Sequence, residues 1–205
     1  MKSYRLAMVV SAGLTLVAGV AFANESGDVH FRLQGGVCAI ASPRQYNIAA
    51  RFENAPEIIS VGANVRPKRL ASMSFDFSFI SFGEGTPSAL VSNTVTTVES
   101  SSLVSAMLGL ELRRPVPDGR GPYAIAGVGL GRAFLGGVRE GTSRHPGPVL
   151  YPSTRISGPV VAAGLGVRSA RILDGPSVQL DARWVSLLSG TPRVSLVPIT
   201  LGFVF

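Results

Sequence analysis

Apolar side chains recur at every second position over much of this chain, in segments of about ten residues. A period of two sends successive side chains to opposite faces of a strand, so each segment predicts a β-strand with one apolar face. Residues 70–82 show the pattern most cleanly, with Met73, Phe75, Phe77 and Phe79 opposing Ser72, Ser74, Asp76 and Ser78. Seven further segments carry it: 29–41, 58–66, 103–113, 123–135, 160–171, 177–187 and 194–205. In 123–135, Ala126, Val128 and Leu130 oppose Gly127, Gly129 and Gly131. Glycines on an inner face leave room for larger side chains from other strands. In the last segment Val197, Ile199, Leu201, Phe203 and Phe205 share one face.

The connections carry a second signal. After the second, fourth and sixth segments they are short and turn-like (67–69, 115–122 with Asp118-Gly119, and 173–176). After the first, third and fifth they are long (42–57, 83–102 and 136–159), while the connection after the seventh, 188–192, is short where a long one would continue the rhythm. An even number of strands with alternating short turns and long loops predicts an all-β fold: an eight-stranded antiparallel up-and-down transmembrane β-barrel with both termini in the periplasm. A soluble periplasmic barrel or sandwich would show the same alternation with its apolar faces turned inward. The polar faces here are thinly charged and rich in Ser, Gly and Ala, which suits a crowded lumen better than a solvated surface.

The beginning of the chain adds a location. Lys2 and Arg5 precede an apolar run over 6–20, and Ala21-Phe22-Ala23 fits a small-x-small cleavage site. Residues 1–23 are therefore expected to be a signal peptide, with 24–205 as one barrel domain. The alternative is an uncleaved anchor. Cleavage would remove Lys2 and Arg5 and lower the formal charge from +7 to +5. No block of Lys or Arg stands out, which makes nucleic acid a poor partner. The single cysteine, Cys38, cannot form an internal disulfide and reads as a small buried residue.

Three segments also resemble a known family. Gly121-Pro122-Tyr123-Ala124-Ile125-Ala126-Gly127-Val128-Gly129, Leu180-Asp181-Ala182-Arg183-Trp184 and the final Val197-Pro198-Ile199-Thr200-Leu201-Gly202-Phe203-Val204-Phe205 are similar, in this order and spacing, to segments of the small outer-membrane barrels of the OmpA/OmpX-like group. The resemblance covers most of the mature chain. It implies a bacterial outer-membrane location, with lipid and lipopolysaccharide as surroundings. It also implies delivery by periplasmic chaperones and insertion of a monomer by the barrel-assembly machinery, with Leu201, Phe203 and Phe205 as the assembly signal. It implies no ligand and no cofactor, and no peptidoglycan-binding domain is expected after Phe205.

The inner faces would bring together Arg32, Asp76, Glu111, Arg113, Arg168, Asp181 and Arg183, with His30, Gln34, Asn64 and Gln179. Buried charges have to be paired, so this set predicts a salt-bridged plug, with a narrow channel or small-ligand pocket as the alternative. Glu140, Ser143 and His145 could suggest a lipid-modifying hydrolase. They fall in a Gly/Pro-rich loop that would not preorganise a triad, so no catalytic residue is assigned. One Cys and two separated His give no metal-ligand spacing. Tyr123, Trp184, Phe203 and Phe205 are expected in interfacial girdles. The expected role is non-enzymatic, structural or surface-interacting, through the long loops.

Overall fold

The computed structural model describes residues 29–42, 56–65, 70–81, 96–114, 120–141, 146–171, 175–190 and 193–205. The strands are β1 (Val29–Ser42), β2 (Glu57–Val65), β3 (Ala71–Ser81), β4 (Thr96–Val98), β5 (Ser102–Arg113), β6 (Gly121–Leu135), β7 (Val138–Gly141), β8 (Pro146–Tyr151), β9 (Thr154–Arg171), β10 (Ser177–Leu187) and β11 (Val194–Val204). β1, β2, β3, β5, β6, β9, β10 and β11 pair in that order and close into a barrel. All pairs are antiparallel, and β11 returns to β1 with Arg32 opposite Val204 and Val37 opposite Ile199. The Phe205 N–H donates to the Phe31 carbonyl at 2.9 Å at the seam.

The eight predicted segments are the eight staves. The main differences lie in the long connections. β9 begins at Thr154, six residues before the predicted start at 160. The connections 83–102 and 136–159, expected as loops, contain β4, β7 and β8, which form a separate three-stranded sheet. Their short, Gly- and Pro-interrupted runs (Val138–Gly141 and Pro146–Tyr151) hide the two-residue period. β7 and β8 extend the β6–β9 hairpin, and Val98 pairs with Val138 just past the pairing of Ser102 with Phe134. The barrel wall is thus prolonged on one side, at the end of the long connections. The predicted signal peptide and most of the turn residues lie outside the described residues.

The barrel is apolar without, and toward the short turns it is polar within. Leu130, Leu165, Val128, Leu108, Leu201 and Met73 lie on the outside and are exposed, Leu165 by 68%. Arg32, Asn64, Asp76, Glu111, Gln179 and Asp181 are buried inside, Glu111 completely. A water-soluble monomer rarely exposes apolar patches beyond a few hundred Å², and here the apolar face runs around the wall. On β6 it extends from Pro122 to Leu130 and on β9 from Val167 to Pro159, positions paired one against the other. Eight steps make about 27 Å of strand, or about 20 Å of height at a tilt of ~40°. That is close to the roughly 25 Å apolar band of a membrane barrel.

Candidate functional site

The lumen is built in two layers. Toward the short turns, inward positions of five strands, β1, β3, β5, β9 and β10, supply one connected set of charges. Arg32 donates to Asp76 at 2.5 Å and lies 3.5 Å from Glu111. Glu111 also holds Arg113, accepts from Asn64 at 2.8 Å and stands 3.7 Å from Arg168. Arg183 bridges Asp76 at 3.1 Å and Asp181 at 2.9 Å. Asp181 further accepts from Gln34, Tyr123 and Gln179, and Arg168 donates to Gln179 at 2.7 Å. The seven charged residues singled out in the sequence thus meet in a single network. Gln34, Asn64 and Gln179 join it. His30 is half-buried and sits opposite Asn64 in register.

Tyr123 corrects an expectation. It does not sit in an interfacial girdle: it is buried in the lumen, donates to Asp181, and has the Arg113 and Arg168 guanidinium groups 6.0 and 5.8 Å from its ring centroid. The parity of β6 carried the signal, because Tyr123 shares its face with Gly127 and Gly129. Trp184, Phe203 and Phe205 do lie outward and are exposed. Tyr123 and Asp181 fill the space that Gly166 leaves on β9, where a Cβ would overlap both. Gly166→Val is therefore expected to push the phenol off Asp181 and to cost about 1–3 kcal/mol by overpacking. Gly35→Ala, where the nearest atom to a Cβ is the Ile58 carbonyl at 3.8 Å, should leave stability within about 0.5 kcal/mol. Urea unfolding of the two variants in vesicles measures the difference.

Toward the long connections the lumen becomes apolar. Cys38, Ile58, Ile80, Leu103, Met107, Val160, Val185, Leu187, Val194 and Leu196 pack there as one cluster. Of this layer only Cys38 is expected from the sequence as a buried residue, and the larger apolar side chains on the inner faces are not. Their trace was the run of apolar residues on the nominally polar faces, such as Leu103 and Met107 beside Ser105. Between the layers is a cavity of about 20 Å³ lined by Gln34, Ser60, Asp76, Arg183 and Thr200 on one side and Ile58, Ile80, Met107 and Val185 on the other. It has room for about one water molecule. Ligand pockets need roughly 300 Å³ or more.

Chemically each carboxylate of the network is held by at least one arginine, while Arg32 Nε, Arg183 Nε and Asn64 Oδ1 are buried without a hydrogen-bond partner among the described residues, and no nucleophile–base pair is part of it. Among the described residues no group of three or more His, Cys, Asp or Glu could hold a metal ion. Ser143 and His145 lie outside the described residues. Glu140 lies on β7, opposite Thr96.

A closed ring of eight antiparallel staves, charged within and apolar around its waist, leaves one architecture. The fold is that of a small eight-stranded outer-membrane β-barrel. No family model matches the chain, and no curated protein matches it. Solved structures similar to it include Ail, the attachment invasion locus protein of Yersinia pestis, in complex with the heparin analogue sucrose octasulfate. That likeness has 11% identity and a TM-score of 0.48, over 86% of this chain and 96% of that one. The N-terminal β-barrel domain of Pseudomonas aeruginosa OprF has 11% identity and a TM-score of 0.45 over the same shares. Neisserial surface protein A has 9% identity and a TM-score of 0.44, again over 86% and 96%.

Proposed function

We propose that the protein is a non-enzymatic barrel of the bacterial outer membrane with a structural and surface-interaction role, presenting the β4–β7–β8 sheet outside the cell. The observation that carries the reading is the inverted distribution of polarity. The apolar belt would be covered by lipid, and the lumen is packed by its own ion pairs and by an apolar layer. Such a barrel orients with its short turns in the periplasm and its long connections outside.

The sheet supports the surface role. Its outer strands, β4 and β8, each have one partner among the described strands, so each offers a free edge. Sheet edges accept an added strand through main-chain hydrogen bonds, and side-chain pockets give selectivity. On β8, Val149 and Leu150 are exposed on successive positions, hence on both faces. Lipid and lipopolysaccharide would surround the belt. Insertion as a monomer by the barrel-assembly machinery, after periplasmic chaperones, would use the outward row of Leu201, Phe203 and Phe205 at the end of the chain, all three exposed.

The test has two stages. Unboiled protein from a separated outer-membrane fraction is expected to migrate differently on SDS gels from boiled protein. A variant with residues 138–151 replaced by an Asn-Gly turn should keep that shift, because the barrel register ends at Leu135 opposite Thr154. Cells bearing the variant should attach to surfaces and to one another no better than cells lacking the protein. Unchanged attachment would remove the sheet from the function, and a soluble, boiling-insensitive protein would remove the membrane barrel.

A further inference from the structure

Two arginines stand where the apolar belt stops. On the outward face of β6, Leu130 is followed by Arg132 and Phe134, and on β9 Pro159 is followed by Ser157 and Arg155. Phe134 and Arg155 are direct cross-strand partners. The guanidinium carbons of Arg132 and Arg155 lie 5.6 and 5.4 Å from the centroid of the same Phe134 ring. Both arginines are exposed, and neither forms an ion pair among the described residues. Glu99, the residue after β4, is engaged by Arg139 at 3.5 Å. The ring thus gathers two cations into one small patch with no counter-charge of its own.

We infer that Arg132, Phe134 and Arg155 form a binding site for a phosphate group of the phosphorylated glycolipid of the outer leaflet. The inference rests on the membrane-barrel reading and adds to it a defined lipid contact. Three observations lead there. The height is that of a headgroup, since Arg132 lies one two-residue step beyond Leu130, where the aliphatic row of β6 ends and the belt of about 20 Å stops. The end is the one with the long connections, which faces the glycolipid leaflet. The chemistry is complementary, because a planar guanidinium presents paired N–H donors that fit phosphate oxygens bidentately, and stacking on an aromatic face fixes its orientation beforehand. The patch is also local. Along the register across β5, β3 and β2 the outward positions are Val104, Phe79 and Ile59 from Arg132, and Ser102, Ser81 and Glu57 from Phe134, none of them cationic.

The test is native mass spectrometry of the full barrel refolded in a neutral maltoside detergent. Three probes are added separately: diphosphorylated lipid A, the same lipid stripped of both phosphates, and phosphatidylglycerol. Wild-type protein is expected to retain diphosphorylated lipid A about tenfold better than R132A/R155A, the order expected for losing charge-assisted contacts. The stripped lipid should be held weakly and equally by both. R132K/R155K, which keeps charge but loses the planar fork, should fall between. R114A/R120A, which removes two exposed arginines at the opposite end, should match wild type. Equal retention of lipid A by folded wild type and R132A/R155A would overturn the site. Equal retention of phosphatidylglycerol and lipid A by wild type would overturn the glycolipid assignment. Each protein is also run boiled and unboiled on SDS gels. A wild type with no heat-modifiable form would overturn the membrane barrel and this site together, whereas loss of the form in R132A/R155A alone would assign the arginines to folding and overturn the site.

Discussion

Leu165→Arg is expected to destabilise the barrel by about 2–4 kcal/mol in lipid vesicles, the cost of a cation near the bilayer midplane on the lipid-facing surface. Leu165 lies one step from the middle of the outward row Val167 to Pro159 on β9, and its side chain is 68% exposed. In a water-soluble protein so exposed a leucine could become arginine within about 0.5 kcal/mol, and solubility would improve. The same substitution therefore has opposite consequences in the two solvents. Val149→Arg on β8, an equally apolar change beyond the belt, should cost at most about 1 kcal/mol. The measurement is equilibrium urea unfolding in vesicles, followed by the fraction of heat-modifiable protein. A neutral Leu165→Arg would mean that no lipid covers this face.

The second large effect concerns the interior. Glu111 is fully buried and serves three arginines and Asn64 at once. Glu111→Ala leaves Arg32, Arg113, Arg168 and Arg183 facing two carboxylates, Asp76 and Asp181. Removing one partner of a buried pair costs about 3–5 kcal/mol, most of it from the charge left uncompensated. Glu111→Gln should cost less, because the amide oxygen still accepts from Asn64. Adding Arg113→Met to Glu111→Ala should recover part of the loss, since the double change removes both charges of one buried pair. The coupling follows from the double-mutant cycle. If Glu111→Ala unfolded at the wild-type urea concentration, the network would be an accessory to the barrel and not part of what holds it.

Parity made most of this legible in advance. Once the staves are placed, every other residue is inside, so Arg32, Asp76, Glu111 and Asp181 could be collected from four distant segments. Who meets whom was not legible. That Asp76 on β3 joins Arg32 on β1 and Arg183 on β10 depends on the shear of the closed ring, which no local pattern contains. The apolar lumen layer escaped because an apolar residue on the inner face of a strand looks, in sequence, like a lapse in alternation. The Arg132–Phe134–Arg155 patch escaped because Arg155 lies 21 positions after Phe134 on another strand, and only register joins them.

What the sequence determined by itself is the period: eight two-faced strands, which face of each is apolar, and therefore which residues share a surface. Only the tertiary structure decided that the ring closes through β1 and β11, that its interior changes from charged to apolar along the axis, and that β4, β7 and β8 lengthen one wall. The physical reason is that alternation is written in neighbouring residues, while closure, layering and edge pairing are set by contacts between residues far apart in the chain.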